Sequence, residues 1–151
     1  MQTITHVQAD ETSALSLISE AEFGAVVTTV LRDHDELERS SAERIVKEAL
    51  KFVAACAAIP GERLRSSRAV DKGWHALILH THTYARLCSR LGRFVHHMPD
   101  PPAPAGTPAE ALERTPELMT TAGYVPDRTL WLQFSEAAKC CDYCPFPPKG
   151  N

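Results

Sequence analysis

The chain has 151 residues, 44% of them hydrophobic, and a net charge of −3. That length suits one domain with a real core, and the sequence pI of 6.1 argues against a nucleic-acid partner. No apolar run approaches membrane-spanning length, which predicts no membrane partner either. The N-terminus lacks a basic stretch followed by a hydrophobic one. A cytoplasmic chain is therefore expected, whose five cysteines serve as thiols or metal ligands rather than disulfides.

Residues 1–16 read as a loose polar arm, residues 17–139 as the helical domain and residues 140–151 as a Cys/Pro-rich tail. From Leu17 to His34, apolar residues recur at helical spacing, although Val26, Val27 and Val30 lower the intrinsic helix propensity. Ser40 with Glu43 spells a capping box, predicting a second helix from Ser41 to the Pro60-Gly61 pair. Ile45, Ala49, Phe52, Val53 and Cys56 make its apolar face, with Cys56 read as a small buried hydrophobe.

Ser66 or Ser67 can cap a long central helix that Gly92 ends, and the spacing predicts one continuous helix over 70–91. On its wheel Val70, Trp74, Leu77, Ile78, Thr81, Ala85 and Cys88 form a buried stripe. Asp71, His75, His82 and Ser89 line one flank, and His80, Tyr84 and Leu91 the other. Five of the seven histidines fall between Val70 and Pro99, so chemistry and packing compete for the same positions. Past Gly92, the adjacent His96 and His97 project to different sides if the backbone is extended.

Residues 99–108 form a Pro-rich linker. Thr107-Pro108 and Thr115-Pro116 each read as an N-cap followed by proline, which predicts two short helices ending at Gly123. Asp127 can cap a last helix bearing Leu130, Trp131 and Phe134. The whole is an all-α bundle of about five helices.

The central pattern Val70-Asp71-x-x-Trp74-His75-x-x-Ile78-Leu79, with Thr81, Tyr84, Cys88 and the later Gly92-Arg93-Phe94-Val95-His96-His97-x-Pro99, resembles a family of small actinobacterial proteins labelled glycine-rich domain-containing. It is more distantly similar to the same segment of plant glycine-rich domain proteins. The resemblance spans about residues 25–144 and singles out Asp71, Trp74, His75, Thr81, Tyr84, Cys88, His96 and His97. It brings no activity with it.

Two donor sets stand out. Asp71 and His75 at i and i+4, joined by His96 or His97 from beyond Gly92, would supply a carboxylate and two imidazoles. That set suits zinc or non-haem iron(II), with copper a third candidate. Cys141-x-x-Cys144, with Cys140 beside it, is half of a zinc knuckle. It could form its own site, dock on the histidines or remain free. Tyr84 is a candidate catalytic polar contact, and Cys88 lies on the core stripe where a thiol is unreactive.

Residues 61–97 carry seven basic groups against two acidic ones, an excess that could draw an anionic small molecule. The bland alternative is a solvated face balanced by the acidic N-terminal helices. No glycine-rich phosphate loop, dinucleotide fingerprint or serine-hydrolase elbow appears. The sequence thus points to a metal-binding helical protein, as a metal-dependent enzyme on a small molecule or not. The competing reading is a metal-free helical interaction module with structural histidines. Neither substrate nor oligomeric state is legible.

Overall fold

A computed structural model describes residues 14–62, 64–97 and 108–131, so the cysteine tail, Phe134 and the loose arm before Ala14 lie outside the described residues. The protein is all-α. Its helices are α1 (Glu20–Asp33), α2 (Arg39–Ala58), α3 (Arg68–Leu79), α4 (Thr81–Leu91) and α5 (Pro108–Thr121), followed by a 3-10 turn, Arg128–Leu130. Among the described residues, no helix is long and apolar enough to cross a membrane.

Helix α2 is the axis, and α3 lies closest against it. The contact is made possible by Gly73, where a Cβ would stand 2.9 Å from Ala49 Cβ, Ile45 Cγ2 and the Ile45 carbonyl oxygen. With no side chain there, the two backbones approach and set Trp74 edge-on to Phe52, ring centroids 5.0 Å apart. Phe52 also meets Trp131 at 5.9 Å, so both tryptophans join the core as their sequence positions suggest.

Helix α1 begins with a capping box that sequence reading passed over. Ser19 Oγ accepts from the Glu22 N–H at 3.1 Å, and Glu22 Oε1 accepts from the Ser19 N–H at 3.0 Å. Its other oxygen, Oε2, accepts from Thr83 Oγ1 at 2.7 Å and from Arg86, tying the start of α1 to α4. The Ser40–Glu43 box expected on α2 does not form. That helix starts at Arg39, and Glu38 occupies the N-cap with no side-chain hydrogen bond.

The continuous central helix is corrected to two. At His80 (φ −85°, ψ 72°) the chain leaves the helix, then resumes at Thr81. The break carries His80 Nε2 to 2.8 Å from Thr29 Oγ1 on α1. The same hydroxyl lies 3.2 Å from the Ala25 carbonyl oxygen, one turn back on α1. The break also rephases the helical wheel. Thr81 and Ala85, expected in the buried stripe, are exposed; α4 buries Cys88 as expected, together with Thr83, Tyr84 and Leu87. Gly92 closes α4 in the left-handed conformation at φ 85°.

A second correction falls on α5, a single 14-residue helix with Pro116 inside it rather than two short ones. Thr115 is not a cap. Its hydroxyl accepts from the Arg65 N–H and donates to the Arg65 carbonyl oxygen, both at 2.9 Å, holding the loop before α3. Among the described residues, the stretch expected to open the last helix forms the 3-10 turn, which Asp127 caps through the Thr129 N–H.

That C-terminal stretch is anchored by a fully buried carboxylate. Glu48 on α2 is 1% exposed, and its Oε1 accepts from Trp131 Nε1 at 2.7 Å and from the Asp127 N–H at 2.9 Å. Lys51, also buried, stands 3.6 Å from Glu48 Oε2 and donates to the Val125 carbonyl oxygen at 2.9 Å. Burial raises the Glu48 carboxyl above its usual range, against the pull of Trp131 and Lys51.

Replacing Gly73 with alanine should therefore destabilise the fold by about 1–3 kcal/mol, because the added carbon meets backbone as well as side chain. Gly24→Ala in α1, where nothing lies within 4 Å, should instead stabilise by about 0.5–1 kcal/mol. Thermal melts of the two variants should shift in opposite directions.

The contacts of Glu22 generate a pH prediction. Hydrogen bonds from Thr83 and Ser19, with the Arg86 charge, hold its carboxyl at about 2 against an ordinary 4.5. A depressed carboxyl contributes stability fully above the unfolded value and loses it as pH falls through the folded one. Glu22→Gln should thus melt below the wild type at pH 7, and the gap should narrow steadily between pH 4.5 and 2.

Candidate metal centre

Asp71 sits in the first turn of α3, whose N-cap Ser67 accepts from the Val70 N–H at 3.2 Å. His75 follows one turn later on the same flank. After Gly92 the chain leaves the helix, and burial alternates along residues 94–97. Val95 turns inward and His97 is partly buried, while Phe94 and His96 are exposed.

The result brings together Asp71, His75 and His97, one donor atom from each lying within 4.8 Å of the other two. His97 Nε2 is 2.8 Å from Asp71 Oδ1, and His75 Nδ1 is 3.5 Å from Asp71 Oδ2. The carboxylate thus presents one oxygen to each imidazole. The two rings lie 4.4 Å apart and tilted by 39°. Ser66 Oγ donates to Asp71 Oδ1 at 3.3 Å, a role the sequence concealed behind its reading as an alternative cap. Trp74 forms the inner wall, its ring 4.3 Å from that of His97, while the His75 side chain is 58% exposed at the mouth.

A first-row divalent ion bonds imidazole nitrogen and carboxylate oxygen at about 2.0–2.2 Å, which spaces donors about 3–3.5 Å apart around a tetrahedron. The distances of 2.8 and 3.5 Å run to the two different oxygens of Asp71, and with one donor atom from each residue all three lie within 4.8 Å of one another, so this group could hold a metal ion. Three protein donors leave coordination positions for water or a small molecule.

Other candidates lie elsewhere. His96 turns away from the group and packs on Phe94 at 4.7 Å. His80 is engaged with Thr29, and His82 is exposed on α4. Tyr84 is buried at 3% exposure, its hydroxyl donating to the Val95 carbonyl oxygen and accepting from Trp74 Nε1 at 3.1 Å. Burial raises that phenol above its ordinary range. Cys88 is a buried free thiol, and burial pushes the half-buried Cys56 thiol up to about 12, far from a thiolate at neutral pH. Cys140, Cys141 and Cys144 lie outside the described residues.

The basic excess of residues 61–97 is largely engaged. Lys72 pairs with Glu36 at 3.3 Å, Arg86 with Glu22, and Arg90 donates to the Leu17 carbonyl oxygen at 2.7 Å. Glu22 on α1 and Glu36 in the loop after it thus take up two of those charges.

Sequence reading missed Glu48. Its signal was present: a lone acid between Ile45, Ala49 and Phe52 on an apolar face is affordable only with buried donors. Gly73 carried no signal, since a glycine inside a helix looks the same whether open or crowded.

Fold and site together define an all-α bundle bearing an aspartate–histidine–histidine cluster at the edge of its core. Residues 13–115 match the model of the UCP032817-like family, and the chain belongs to that family. Its description names no activity. No curated protein and no solved structure shows significant similarity to the chain.

Asp71→Ala should lower the melting temperature of metal-free protein by about 2–4 °C, equivalent to about 1 kcal/mol for the part-exposed hydrogen bond from His97. His82→Ala, which touches none of these groups, should leave it unchanged.

Proposed function

We propose that this chain binds a divalent transition metal through Asp71, His75 and His97. The observation that carries the reading is the convergence of three donors, one carboxylate and two imidazoles, from segments 22 residues apart, His75 to His97. Two imidazoles with one carboxylate favour zinc or iron(II), with copper also compatible. Ser66 on Asp71 and Trp74 against His97 supply the outer partners that orient metal ligands. Exposure at His75 gives a small molecule access to the remaining coordination positions, which extends the reading to metal-dependent chemistry on a small, anionic substrate. The tail cysteines Cys140, Cys141 and Cys144 are a further donor set within this proposal, on the strength of their spacing alone.

One observation favours a second reading. His97 already donates to Asp71 at 2.8 Å and packs at a tilt against Trp74, so its imidazole is satisfied without an ion. On that reading the histidines fasten the segment after α4, and the protein is a metal-free interaction module.

Elemental analysis of protein purified without a polyhistidine tag separates the two. The metal reading expects zinc, iron or copper near one equivalent, lost in His75→Ala and in His97→Ala and kept in His96→Ala. It also expects a chelator to lower the melting temperature. Absence of metal, with an unchanged melt on adding chelator, overturns it in favour of the interaction module. Replacing Cys141 and Cys144 with serine reports on the tail: reduced stoichiometry places its thiolates in the site.

A further inference from the structure

His97 reaches Asp71 only because the chain beyond Gly92 is pressed against the bundle, and the side chain that presses it comes from α4. Tyr84 lies in the core with its hydroxyl donating to the carbonyl oxygen of Val95, two residues before His97. The same hydroxyl accepts from Trp74 Nε1 at 3.1 Å, and the Trp74 ring is the surface on which His97 rests at 4.3 Å. Phe94, from the same segment, meets the Tyr84 ring edge-on at 5.5 Å. One phenol therefore holds both the segment that bears His97 and the indole that backs it.

We infer that Tyr84 is the positioning residue of the Asp71–His75–His97 centre, setting where the His97 imidazole stands without touching an ion itself. This deepens the metal-binding reading and rests on it for its effect on affinity. The physical reason lies in the weakness of the segment's other attachments. A stretch of four residues outside any helix makes no helical hydrogen bonds of its own, so its place is set by what it meets. With the phenol gone, the Val95 carbonyl oxygen is left without a donor inside the core, and the stretch must shift to find one. Trp74 Nε1 loses its acceptor at the same time and the indole is freed to tilt. Both displacements move His97 relative to Asp71 and His75, which ride on the rigid α3. Outer-shell groups of this kind are worth about 10–100-fold in metal affinity.

The test is Tyr84→Phe, which keeps the ring and removes only the hydroxyl, measured by zinc titration well below the melting temperature. A roughly tenfold or greater loss of zinc affinity is expected. Val27→Ala, a truncation of a fully buried side chain in α1, should reduce stability while leaving affinity at the wild-type value. A metal-free readout accompanies it. In the wild type the Trp74 ring current displaces the His97 ring-proton resonances, and in Tyr84→Phe these should move toward those of the exposed His96. Tyr84→Phe with wild-type zinc affinity and unmoved His97 resonances overturns the inference and leaves the metal reading standing. Wild-type protein that takes no zinc overturns the metal reading, and the resonances alone then decide whether Tyr84 places His97.

Discussion

The close approach of α2 and α3 at Gly73 is the constraint on which the rest of the molecule depends. A glycine facing Ala49 and the Ile45 backbone lets two helices lie nearer than any side chain would permit. The approach decides which way the remainder of α3 faces. Trp74 turns inward to Phe52, and Asp71 and His75 are left along the seam where a returning segment can meet them. Packing and candidate chemistry are thus two faces of one helix, and a change on one is felt on the other.

Around that axis the molecule spends its polar side chains on fastening segments that have little secondary structure of their own. Glu48 and Lys51 hold residues 125–131, Thr115 holds Arg65, Glu22 holds α4 to α1, and Tyr84 holds Val95. Glu48 in particular is a buried carboxylate that these contacts supply with donors. Glu48 illustrates the balance: desolvation disfavours its charge, while the Trp131 and Asp127 donors and the Lys51 ammonium favour it. Such groups contribute placement as much as stability, since they specify where an otherwise slack loop must lie.

The candidate metal centre inherits its precision from these fastenings unequally. Asp71 and His75 share one helix and need nothing else to stay in register. His97 comes from a stretch outside any helix and depends on Trp74, Tyr84 and the left-handed turn at Gly92. The weak member of the set is therefore the one furthest along the chain, and its neighbours in the core govern how well the three donors converge.

Sequence alone determined the features that follow from local periodicity and local chemistry. The all-α class, a serine cap at position 66 or 67, the Asp127 cap, the Gly92 stop and the pairing of Asp71 with His75 all arise from residues within a few positions of one another. What needed tertiary structure was every outcome set by a partner far along the chain. The break at His80 has no proline or glycine to announce it and accompanies a hydrogen bond to Thr29, 51 residues away. The choice of His97 over His96 rests on which side of the segment after Gly92 met Trp74, and the burial of Glu48 on donors about 80 residues distant. Local pattern reports which surface of a helix is apolar. Only the folded chain decides what is brought to meet it.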